Sequence, residues 1–214
     1  MKPCRVAWTA LVTLLVTLTL GCAAWAGISA TKHNLSVNGP GTVKAASEDQ
    51  ICVFCHAPHN SAVNTPLWNR QTPGSVYAPY TSSTSRAATG QPTGSSLLCL
   101  SCHDGTIALG QVLNRATPIV MAAGVTTMPA GAASRLGTDL SGDHPISFAY
   151  TSALASTRGE LVDPGMLAGP VRLDGSGQLQ CSACHDAHND TFGKFLVMSN
   201  TSSALCQTGH VKNY

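Results

Sequence analysis

Charged and aromatic side chains are both scarce in this sequence. They make up 10% and 5% of its 214 residues, where about 25% charged is usual for a soluble domain. That scarcity excludes an ordinary core built on large side chains and leaves the interior to be filled by something else. An excess of either charge is missing too. Twelve basic residues less Lys2 and Arg5 of the leader leave ten, against ten acidic. The mature chain is then formally neutral and offers no electrostatic case for nucleic acid or an anionic membrane as partner.

"MKPCRVAWTALVTLLVTLTLGCAAWAG" sets Lys2 and Arg5 before an apolar run of 14 residues, Ala7 to Leu20, and Ala24-Trp25-Ala26 gives a small-x-small cleavage pattern. These features predict a secretory signal peptide over 1–26 and a single domain over 27–214. A membrane anchor is the competing reading, but the run falls short of the roughly 20 residues a span needs. A lipoprotein cut before Cys22 is another, which Thr19 and Leu20 fit poorly. No further span is expected once the leader is removed.

Nine cysteines are present, and seven follow the leader: Cys52, Cys55, Cys99, Cys102, Cys181, Cys184 and Cys206. In an exported chain paired cysteines ordinarily mean disulfides. Here each pair has one spacing and is followed at once by histidine, in "CVFCH" (52–56), "CLSCH" (99–103) and "CSACH" (181–185). A disulfide has no use for that histidine. Covalent haem attachment does, because each thiol adds to a haem vinyl group and the adjoining imidazole binds the iron. Zinc shares the Cys-x-x-Cys half of the pattern but does not require a histidine after the second cysteine. A fourth stretch, "CQTGH" (206–210), keeps Cys206 and His210 and has Gly209 where the second cysteine belongs.

The histidine count bears on that fourth stretch. Eight histidines are present, and four irons with two imidazoles each need eight. His56, His103, His185 and His210 are the proximal ligands on this reading. His33, His59, His144 and His188 are the distal candidates. "CHAPHN" and "CHDAHN" repeat a second histidine three residues after the first, which directs His59 and His188 to a neighbouring haem. Pro145 biases His144 towards an extended backbone. Spacing leaves the assignment of distal histidine to haem open, and Met121, Met128, Met166 and Met198 are alternative axial ligands. The expected cofactor is haem c, three at complete motifs and a fourth on one thioether.

Little regular structure is expected. Residues 61–96 and the stretch "VMAAGVTTMPAGAASRLG" read as turn-rich loop. "SALASTRGELVDPGMLAG" allows one short helix before Pro164, and "VRLDGSGQLQC" a small hairpin around Asp174-Gly175. Short helices are predicted at the attachment motifs, each histidine opening a helical turn. Trp68, Tyr77 and Tyr80 are expected against haem faces or edges. Asp104, Asp186, Arg115 and Lys194 are candidates to tune haem propionates or histidine protons, and read more simply as solvated surface. The fold class is mainly irregular chain with short α-helices wrapped around stacked haems and little β structure. Without haem such a chain should not fold.

"ICVFCHAPHN…PLWN", "LCLSCHDGTIALG" and "LGTDLSGDHPISF" resemble the multihaem c-type cytochromes with doubled Cys-x-x-Cys-His motifs of metal-respiring and related bacteria. The resemblance implies low-spin, bis-histidine haems stacked in a row, at work in the periplasm, at the outer membrane surface or outside the cell. It implies electron transfer, with other redox proteins or an extracellular acceptor as partners. Some tetrahaem relatives polymerise, so self-assembly into a filament is carried as an alternative, with a histidine such as His33 reaching a neighbour's iron. A reductase of nitrite, hydroxylamine or a sulfur oxyanion is the enzymatic alternative and needs one open haem. Gly209 departs from the family pattern.

Overall fold

The computed structural model describes residues 27–59, 66–157 and 159–211. The signal-peptide reading over 1–26 lies outside them. Among the described residues the α-helices are α1 (Gly94–His103), α2 (Ser152–Ser156) and α3 (Cys206–Gly209), joined by single 3-10 turns. Among the described residues one antiparallel pair, β1 (Phe148–Ala149) with β2 (Gln178–Leu179), makes up the sheet. None of these helices is long and apolar enough to cross a membrane. The chain is mostly irregular, as the breaker-rich composition predicts.

Each short element has a local cause. The Thr151 side chain accepts from Leu154 N–H and caps α2, the usual service of threonine at a helix start. Asp163 caps the turn Pro164–Met166 in the same way, with proline at its first position. Helix α1 runs through three leucines and is stopped by Gly105, whose φ of 71° is left-handed. It therefore begins inside the stretch read as loop from 61 to 96.

Two sequence expectations change. The hairpin around Asp174-Gly175 is only a turn. The Asp174 carboxylate accepts from the backbone N–H groups of Ser176 and Gln178, and β2 then pairs with β1 rather than with the residues before the turn. The motif histidines close helical turns instead of opening them. His56, His185 and His210 donate their backbone N–H to the first cysteine of their motifs at 2.8, 3.0 and 2.9 Å, and His103 is the last residue of α1.

Two small apolar clusters stand out among the described residues. Phe54, Leu109, Val112 and Met121 anchor one, against which Cys55 and Cys102 pack. Tyr77, Leu100 and Leu140 form the other. Tyr77 is thus a core residue, and its hydroxyl donates to Asp104 Oδ2 at 2.6 Å. Burial and the adjoining carboxylate push that phenol's pKa up. Asp104 is only 1% exposed, which corrects its reading as surface.

Candidate haem centres

The first and third motifs carry the same clamp. His56 Nδ1 meets the Pro66 carbonyl at 2.7 Å and His185 Nδ1 meets the Lys194 carbonyl at 2.9 Å. In each case the next residue, Leu67 or Phe195, has positive φ. The residue after that, Trp68 or Leu196, forms an antiparallel bridge with the histidine. The flanking backbone bonds match as well: Ala57 to Leu67 and Asn69 to Cys55 in one, Asp186 to Phe195 and Val197 to Cys184 in the other. Left-handed backbone at leucine and phenylalanine is strained, and the surrounding bonds hold it so that a carbonyl faces the imidazole. Sequence reading missed Pro66-Leu67-Trp68 and Lys194-Phe195-Leu196 as site residues. The signal was an apolar pair ten to twelve residues beyond each histidine.

The second motif reaches the same end with different residues, as His103 Nδ1 meets the Ser134 carbonyl at 2.7 Å. His33 Nδ1 meets the Ala187 carbonyl and His144 Nδ1 the Pro145 carbonyl, both at 2.9 Å. His188 Nδ1 lies 3.6 Å from Asp186 Oδ1. An imidazole that donates from Nδ1 keeps its Nε2 lone pair for a metal and is held in one orientation.

Three pairs of these rings face each other across long stretches of chain. The centroids of His33 and His103 are 6.0 Å apart, of His56 and His188 6.0 Å, and of His144 and His210 6.3 Å. Two imidazoles bound at about 2 Å to one iron, each nitrogen about 1.1 Å from its ring centre, put the centroids about 6.2 Å apart. The residues fit bis-histidine haem on that test. Trp68 adds to the fit: its ring stands edge-on to His56, and its buried Nε1 has no partner, an orphan donor of the kind a haem propionate satisfies. His33, stacked on Phe195 at 4.0 Å, is engaged within its own chain. Burial lowers the pKa of His33 and of His210 and so favours their neutral, ligating forms.

His59 and His185 are not brought together: among the described residues neither ring contacts another histidine. His59 is exposed. Met121 is buried in the first apolar cluster and Met166 is exposed.

The cysteines order the motifs. Burial, then the neighbouring Cys102 thiol, pushes Cys55 up to about 12. The Cys99 thiol donates a hydrogen bond to Cys181, which raises the former and lowers the latter. Cys184 is raised by burial and then by Cys181 and Cys206. The second motif touches the third, and the first and fourth lie near the second and third respectively. Helix α1 packs on the turn Cys181–Ala183, with Ser96 Oγ accepting from the Cys181 backbone N–H at 3.0 Å. Gln180, 1% exposed, accepts from Ser96 and Ser147 and donates to Asp174 at that junction. Among the described residues no three His, Cys, Asp or Glu side chains converge as a bare metal-ion cage requires.

No curated protein matches this chain. Residues 174–213 match the family model described as the doubled CXXCH motif, a motif that implies covalent c-type haem, and the matched segment takes in both Cys181-Ser182-Ala183-Cys184-His185 and Cys206 to His210.

Proposed function

We propose that the protein is an exported electron carrier with four c-type haems in a row, each iron closed by two imidazoles. The observation that carries this reading is the set of three facing histidine pairs at 6.0–6.3 Å. On it, His103 pairs with His33, His56 with His188, and His210 with His144. His185 has no facing histidine among the described residues, and His59 is assigned to it only from the repeat, as His188 of one module faces His56 of the other. Cys52, Cys55, Cys99, Cys102, Cys181 and Cys184 supply two thioethers per haem, and Cys206 supplies one. The family match through His210 supports occupancy of the fourth site.

Haem ligated on both faces supplies a one-electron iron couple and leaves no position open to substrate. The carbonyls of Pro66, Lys194 and Ser134 hold the proximal imidazoles, and the neighbouring motifs keep successive haems close. Partners on this reading are other redox proteins or an extracellular electron acceptor, met in the periplasm or at the cell surface.

The exposed His59 favours a second reading, a filament subunit in which His59 of one copy completes the His185 centre of the next. Optical spectra of the mature protein with and without nitrite, taken across a range of concentration, test both. Low-spin spectra unmoved by nitrite and by dilution support the single-chain carrier. A high-spin fraction that appears only on dilution supports the filament. A concentration-independent high-spin haem that shifts with nitrite points to a reductase and overturns the carrier.

A further inference from the structure

The two clamped modules differ in one buried charge. Counting two residues past each bridge partner, the first module has Arg70 after Trp68 and the second has Met198 after Leu196. Arg70 is 0% exposed. Its Nη1 donates to the carbonyls of Leu109 at 2.7 Å and Gln111 at 3.4 Å, and its Nη2 to those of Ser101 and Ala108 at 3.0 Å each. Its Nε has no partner, and among the described residues no carboxylate forms an ion pair with it. A fully buried guanidinium held by carbonyl dipoles, away from bulk solvent and with no carboxylate in direct contact, is only weakly screened.

That charge sits between the first two motifs. Ser101 adjoins Cys102, Leu109 packs in the cluster that holds Cys55 and Cys102, and the neighbouring Asn69 bonds the Cys55 carbonyl. Near the second motif its effect is opposed by Asp104, a buried carboxylate next to His103 that accepts from Tyr77 and Thr106. No such carboxylate follows the first motif, where Ala57 stands in the place of Asp104.

We propose that Arg70 sets a step in potential along the haem row, making the haem of Cys52, Cys55 and His56 the one reduced first. Ferric haem carries one more positive charge than ferrous, so a fixed cation nearby disfavours the oxidised form and raises the midpoint. The equivalent haem of Cys181, Cys184 and His185 lacks the cation and lies lower. The inference rests on occupancy of those motifs as proposed above.

Potentiometric titration of wild type, Arg70→Met, Arg70→Lys and Asn69→Ala tests it, each first shown by denatured intact mass to carry the same number of haems. Asn69→Ala loosens the same core by removing bonds to Val53 and Asn114 without changing charge. Arg70→Met is expected to lower the highest midpoint, and Arg70→Lys and Asn69→Ala to leave it near its wild-type value. Unchanged midpoints in Arg70→Met, or an equal fall in Asn69→Ala, overturn the proposal. Should Arg70→Met fail to mature, NMR-monitored reduction of wild type decides. Reduction of the His56 haem before the His185 haem supports the step, and the reverse order overturns it. A mass without haem at the first motif defeats the underlying functional reading instead, so the two failures are distinct.

Discussion

His188, three residues past the third attachment motif, faces His56 of the first across a centroid separation of 6.0 Å, with the two rings 17° from parallel. On the proposed reading the haem of one module is closed by the other, and the ligand set ties together segments 132 residues apart in sequence. Removing His188 is expected to open the first-motif iron and no other. His188→Ala should gain a single high-spin, cyanide-binding haem while its covalent haem count stays unchanged. Resonance Raman and mass spectrometry check this together, and a spectrum identical to wild type would remove the pairing.

The same logic applied to His59 separates the two readings of the His185 centre. His59→Ala should convert one further haem to high spin. Adding His59→Ala protein that carries an intact His185 site to wild type should restore low spin only if the ligand crosses between copies. Native mass measured alongside reads the assembly directly.

Gly209 has room for the cysteine it replaces. A Cβ built there meets nothing nearer than Tyr150 Oη at 4.0 Å, and the residue lies in the helical turn Cys206–Gly209. Gly209→Cys should leave the covalent haem count of the wild type unchanged. It should move the reduced α-band in alkaline pyridine to shorter wavelength, because a second vinyl leaves the conjugated system. A count that rises by one in the variant would show that Cys206 alone does not hold haem.

Gln180 joins the second and third motifs through side-chain bonds to Ser96, Ser147 and Asp174. Gln180→Ala takes away the acceptor of the buried Ser96 and Ser147 hydroxyls, at about 1–3 kcal/mol for a lost buried partner. Thermal unfolding should occur earlier, and electron exchange between the haems of His103 and His185 should slow. Unchanged stability would mean that the thioethers alone fix the junction.

Much of the site was legible in the chain itself. Cys-x-x-Cys-His fixes a local geometry through covalent chemistry, so the attachment residues needed no fold to be read, and the histidine count followed from iron's coordination number. The pairing was not legible, because it is made by distant segments: His33 meets the carbonyl of Ala187 from 154 positions away. Asp104 looked like surface because its burial depends on Tyr77 folding over α1. The turn at Asp174 looked like a hairpin because alternation near a glycine does not reveal which strand will accept the next one. Arg70 escaped notice for the same reason, since its four carbonyl partners come from α1 and the loop after it, some 30 to 40 residues ahead.

Ring orientation offers the most direct test of the central claim that facing histidines close the irons. The His33–His103 and His144–His210 pairs stand at 74° and 79°, near perpendicular, while His56–His188 is near parallel. Electron paramagnetic resonance of the fully oxidised protein distinguishes these arrangements. Near-perpendicular imidazoles give a strongly anisotropic low-spin signal, and near-parallel ones a rhombic one. The account predicts low-spin iron throughout, with at least two strongly anisotropic haems and at least one rhombic haem. A high-spin signal persisting at high protein concentration, or rhombic signals alone, would contradict it.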